Sequence, residues 1–165
     1  MAVNEPHHAD GKIDKTRSRS VLPRLSSSIS KSLIDKAVRF HGHLGPFLIL
    51  GLKAGMFANK VLGKSHFDTK VTVETEPFPP CSCIVDGVQI TTGCTMGKRN
   101  IELKNGDSLT VTFRKNNHEL KLSLKTDILK QLMKIPSKEE SKKAALNLVD
   151  APVTDLFDIE APRNA

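Results

Sequence analysis

Between Ser30 and Gly42 the apolar residues Leu33, Ile34, Ala37 and Val38 recur at the three- and four-residue spacing of an amphipathic helix. Ser30 supplies a cap at its start and Gly42 a natural end. Pro46 then fits the first turn of a second helix, which carries Phe47, Leu48, Ile49, Leu50, Leu52, Met56, Phe57, Val61 and Leu62 before Gly63. These positions fall all round the helix axis, so the second helix is predicted to be central. Gly51 and Gly55 share one of its faces, and because mid-helix glycine costs up to about 1 kcal/mol, a second backbone is expected to approach there.

The period then shifts to two. Val71, Val73 and Thr75 alternate with Thr72, Glu74 and Glu76, a half-buried strand ended by Pro77, Pro79 and Pro80. Ile84, Val85 and Val88 predict a short helix from Cys83 to Thr92, with Cys83 near its start, Asp86 and Gln89 on one face and Gly93 at its end. Further strands are expected over residues 100–104, at Leu109, Val111 and Phe113, and at Leu120, Leu122 and Leu124, joined by turns at Asn105-Gly106 and Asn116-Asn117. Thr126 and the Ser137/Glu140 capping box start two last helices. The predicted fold is α+β: an antiparallel sheet over residues 100–125 packed against the central apolar helix, its charged outer side a solvated face.

Residues 1–28 mix His7, His8, Lys12, Lys15, Arg17, Arg19 and Arg24 with serines and lack an apolar period, which reads as a flexible basic arm. Residues 29–149 form the expected domain, and the acidic stretch 150–165, with Pro152 and Pro162, is expected to fray. At 165 residues the chain can bury a core without staples. A formal charge of +7 admits an anionic partner, but 4% aromatic content with no Trp or Tyr removes most base-stacking equipment, so nucleic acid ranks last among partners. Three cysteines between 81 and 94, an odd number, do not make a secreted disulfide framework and point to a reducing cytoplasm. The longest apolar run, Leu44 to Leu52, is far short of the roughly 20 residues that span a bilayer, so no membrane partner is expected.

The chemistry concentrates in two segments. His41-x-His43 places two imidazoles just before a Pro-initiated helix, and Cys81-x-Cys83 with Cys94 brings soft sulfur ligands from elsewhere. The spacing is not that of a zinc ribbon. A cysteine at a helix start is expected to have a lowered pKa, and a histidine there to stay neutral.

Phe40-His41-Gly42-His43-Leu44-Gly45-Pro46, Leu50-Gly51-Leu52-Lys53-Ala54-Gly55, Cys83-x-x-Asp86-Gly87-Val88-Gln89 and Thr92-Gly93-Cys94-Thr95-Met96-Gly97-Lys98-x-Asn100 resemble, in order, the motifs of the FmdE-like family of formylmethanofuran dehydrogenase proteins. The resemblance implies a dimerising α+β core whose motif residues line a pocket for a divalent metal such as zinc. On that basis His41, His43, Cys83 and Cys94 are the expected ligands. Asp86, Gln89, Thr95 and Lys98 are expected to orient them or to contact a cofactor or small-molecule substrate, and a partner protein is also implied. Two departures from the family pattern stand out: Gly45 occupies a position where members often carry cysteine, and no cysteine follows Cys94, so the chain reads as a core without the C-terminal zinc module. The resulting expectation is a metal-binding, redox-linked accessory protein. The alternative from another class is a metal-free enzyme with Cys83 as nucleophile and His43 as base; a basic nucleic-acid-binding domain ranks third.

Overall fold

The computed structural model describes residues 28–164, so the expected basic arm lies outside the described residues except for Ser28. Helix α1 (Lys31–His41) begins where Ser30 Oγ accepts from the Leu33 amide at 3.3 Å and ends at Gly42, whose φ of 102° suits a residue without a Cβ. Helix α2 (Pro46–Leu62) follows, buried from Pro46 to Ala58 except at Met56. One side of it, with Leu50, Ala54 and Phe57, joins the main core against the sheet, while Leu48, Ile49 and Leu52 pack with Ile29, Ala37 and Ala145. Its all-round apolar surface therefore answers to a position between two layers.

Strand β1 (Thr69–Thr75) leads through a 3-10 turn (Cys81–Cys83) into α3 (Ile84–Thr92), and then come β2 (Ile101–Asn105), β3 (Thr110–Lys115) and β4 (His118–Leu124). The close backbone approach expected at Gly51 is a reciprocal glycine contact: a Cβ there would meet the Ile84 carbonyl and lie 2.9 Å from Gly87 Cα. A Cβ at Gly87 would in turn meet the Leu48 carbonyl. At Gly55 the crowding comes instead from the Thr91 and Thr92 side chains. This crossing holds α3 rigidly against α2.

The sheet has five strands in the order β2-β1-β3-β4-β5 and is mixed. β2 runs parallel to β1, with Val71 opposite Ile101, and β3 lies on the other side of β1. Asn105-Gly106 consequently does not close a hairpin between neighbours; the Gly106 amide donates to the Thr75 carbonyl as the chain crosses the end of β1. Alternation marks a strand but not the direction of its partner, and the βαβ path through α3 imposes the parallel pairing. Asn116-Asn117 does join β3 to β4, with Asn116 at φ 52°. On the outer face Arg114 pairs with Glu119 and Lys121 with Glu160, but Thr72, Thr110 and Thr112 on the same face are buried, so the expected solvated face is solvated only in part.

Two expectations at the C-terminal end change. In α4 (Thr126–Met133) the cap position is Lys125, with Thr126 already helical. After α5 (Lys138–Val149), capped as expected by Ser137 Oγ on the Glu140 amide, the stretch from Asp150 does not fray. It forms α6 (Val153–Leu156) and β5 (Phe157–Asn164), antiparallel to β4. Leu156 and Phe157 are buried and Ile159 packs on the core, while Asp158 and Glu160 are exposed. The acids and prolines hide a short period-two strand that completes the sheet edge.

Candidate functional site

Gly42 stops α1 just after His41, its last residue, and Pro46 starts α2, with His43 in the tight loop between them. Their rings lie 4.6 Å apart between centroids, tilted by 37°. His41 Nδ1 is 2.6 Å from Asp86 Oδ2 on α3, and in the neutral tautomer that donates this bond the lone pair is on Nε2. That Nε2 is buried and has no hydrogen-bond partner among the described residues. The spacing of Asp86 from Cys83 puts the carboxylate on the α3 face turned to α1, and Gln89, one turn on, donates to its other oxygen at 3.5 Å.

His41, His43 and Cys83 line one cavity of about 380 Å³. Asp86 stands outside this lining, bonded to the Nδ1 edge of the His41 ring. The opposite wall comes from the α4–α5 connection, with Met133, Pro136, Ser137, Lys138 and Ser141. Sequence reasoning missed that wall; its one legible sign was the capping box at Ser137, which located a helix start without saying what it faced. His43 is held below the ordinary histidine pKa by burial, by His41 and by Lys138, which keeps it neutral as expected.

Cys83 departs from its expectation. Its thiol is pushed up, first by burial, then by the negative charge of Asp86 and by Cys81. A backbone hydrogen bond from Cys83 itself acts in the lowering sense expected at a helix start, but it is outweighed by these effects. Cys81 is buried with Sγ 3.5 Å from Met133 Sδ.

The remaining candidates go elsewhere. Cys94 is a fully buried core thiol donating to the Thr69 carbonyl at 3.3 Å, outside the cavity lining. Thr95 and Lys98 shape a loop: Thr95 Oγ1 accepts from the Lys98 amide, Asn100 Oδ1 from the Thr95 amide, and Lys98 Nζ donates to the His66 and Gly93 carbonyls. Gln89 Oε1 accepts from the Met96 amide at 2.9 Å and ties that loop to Asp86. Among the described residues no three His, Cys, Asp or Glu side chains are grouped so as to hold a metal ion.

Residues 40–161, which hold this whole arrangement, match the family model described as FmdE, molybdenum formylmethanofuran dehydrogenase operon. The chain belongs to the FmdE family. The FmdE fold is also seen in the crystal structure of a tungsten formylmethanofuran dehydrogenase FmdE-like protein from Syntrophus aciditrophicus. That structure aligns over 82% of this chain and 72% of its own, with a TM-score of 0.54 and 17% identity. A curated relative from Archaeoglobus fulgidus, named a probable S-adenosyl-L-methionine-binding protein, is 37% identical over 89 residues. The match covers 51% of this FmdE-family chain but 24% of the relative, so the chain matches about a quarter of that protein's length. No helix among the described residues is long and apolar enough to cross a membrane.

Proposed function

We propose that this FmdE-family chain is an accessory protein that binds a divalent metal of the zinc class through His41, His43 and Cys83, and that it works as a homodimer in a reducing cytoplasm. The observation that carries the reading is the buried, unpartnered Nε2 of His41, with Asp86 fixing the tautomer from behind. A carboxylate–imidazole pair of this kind orients a metal-binding histidine and raises its basicity. The donor set fits in kind, since neutral imidazole and cysteine sulfur are what zinc takes, but the three side chains are not gathered around one point and would have to draw together on binding. When bound, such a metal would supply Lewis acidity to a ligand in the cavity.

The chain's own residues divide the work. Asp86 positions His41, and Gln89 steadies Asp86. His43, kept neutral by its surroundings, has a lone pair to offer. Cys83 is a protonated thiol at neutral pH in the free protein and would release its proton on metal binding, so metal uptake should strengthen with pH. The raised thiol pKa weighs against the metal-free alternative, in which Cys83 must be a thiolate before any substrate arrives. Exposed Met133, in the cavity lining, and Phe78, two residues before the lining residue Pro80, are the apolar surface a second copy would cover.

Metal analysis of protein purified without an affinity tag or added metal tests the proposal. One equivalent of metal per chain, abolished in His41→Ala, His43→Ala and Cys83→Ser and retained in Cys81→Ser, is the expected result. Metal-free protein that also fails to take up zinc from a competing chelator would refute it.

A further inference from the structure

A second cavity, of about 550 Å³, opens where α1, the end of α3 and the loops 63–68 and 93–98 meet, and it shares no lining residue with the histidine–cysteine cavity. Its charge is one-sided: Lys36, Lys64 and Lys98 are in the lining and no carboxylate is. Lys98 is committed to the floor, its Nζ bonded to the His66 and Gly93 carbonyls and 4.7 Å over the Phe67 ring. Lys36 and Lys64 are exposed and form no ion pair among the described residues. Beside them Phe40 and Met96, 60% and 55% exposed, leave apolar surface uncovered in the same recess.

Two unpaired ammonium groups next to an exposed ring and thioether match a ligand with one anionic group and one flat apolar part: the anion is drawn by the lysines and the ring gains contact area on Phe40 and Met96. We propose that this cavity binds a small organic anion of that kind, and that its occupancy is felt at His41. The connection is short. Met96 donates its amide to Gln89, Gln89 reaches Asp86, and Asp86 holds His41, while Phe40 precedes His41 in the chain. This inference does not depend on a metal being bound.

Calorimetric and NMR titration of the full chain with adenosine monophosphate tests it, with 2-naphthoate as the carboxylate arm and adenosine and inorganic phosphate as half-ligand controls. Saturable binding of either organic anion is expected, at least tenfold tighter than its uncharged or ringless control. The Met96 amide and His41 ring signals should both shift. Lys36→Glu with Lys64→Glu should weaken binding at least tenfold, whereas His43→Ala, which removes the proposed metal ligand, should leave it intact. Adenosine binding as tightly as its monophosphate, or a double-lysine variant of unchanged affinity, would overturn the anion site. Binding that leaves His41 unmoved would overturn the coupling. Sedimentation in which Phe40→Ala turns a dimer into monomers would assign this face to a second copy instead.

Discussion

Lys53 is 2% exposed in the middle of α2, and its Nζ donates to the Val149 and Ala151 carbonyls at 2.8 and 2.7 Å, binding the end of α5 to the central helix. Burial lowers its pKa from 10.5 to about 8, partly offset by the charge of Asp150. In the unfolded chain the amine keeps its proton up to the higher value, so between the two pH values the unfolded state binds more protons and stability rises with pH. At about 1.36 kcal/mol per unit, the whole span is worth roughly 3 kcal/mol, of which about 2.5 kcal/mol falls between pH 7 and pH 10. The three cysteines act in the opposite sense over the upper part of that window, because their folded pKa values are raised and the unfolded thiols lose protons first. Comparing the native chain with Lys53→Met removes their contribution, since it is common to both proteins. Urea unfolding at pH 7, 8, 9 and 10 should give a stability difference that shifts by about 2.5 kcal/mol in favour of the native chain as pH rises, or roughly 5–10 °C in melting temperature for a domain of this size. Parallel curves for the two proteins across that range would refute the assignment of a depressed pKa to Lys53.

The α2–α3 crossing should be intolerant of bulk: Gly87→Leu is expected to cost at least about 3 kcal/mol in urea unfolding, because the added side chain meets the Leu48 carbonyl rather than a movable group. Asp86→Asn should lower zinc affinity by roughly 10–100-fold in chelator competition while keeping the fold, as expected when the partner that orients a histidine ligand loses its charge. In metal-free protein Cys83 should react with iodoacetamide more slowly than a free cysteine at pH 7.5, and mass spectrometry should show the rate rising through pH 9 and above. Gly45→Cys should strengthen zinc binding, since Gly45 has extended backbone angles (φ −136°, ψ 158°) that accept a side chain and its Cβ would lie 3.1 Å from His43 Nε2; an unchanged affinity would show that position 45 does not reach the site.

Local rules were enough to read the helices that frame the site. Ser30, Gly42, Pro46 and Gly63 mark the ends of α1 and α2, and Gly93 the end of α3, because capping and left-handed turns depend on the residue at the boundary and its nearest neighbours. The buried faces of β1, β3 and β4 were equally legible in their alternation. The parallel pairing of β2 and the edge strand β5 were not. Pairing direction follows from the path of the chain through α3, and Phe157 gains its place only once β4 offers a free edge. The candidate site divides the same way. Histidine spacing and motif order located His41, His43, Cys83 and Asp86, but contact between His41 on one helix and Asp86 on another exists only because Gly51 and Gly87 let α2 and α3 pack closely enough to bring the α1 end alongside. The same packing sends Cys94 into the core and raises the Cys83 pKa, through burial and a neighbouring carboxylate 3 residues along the chain, against the helix-start effect read from sequence alone.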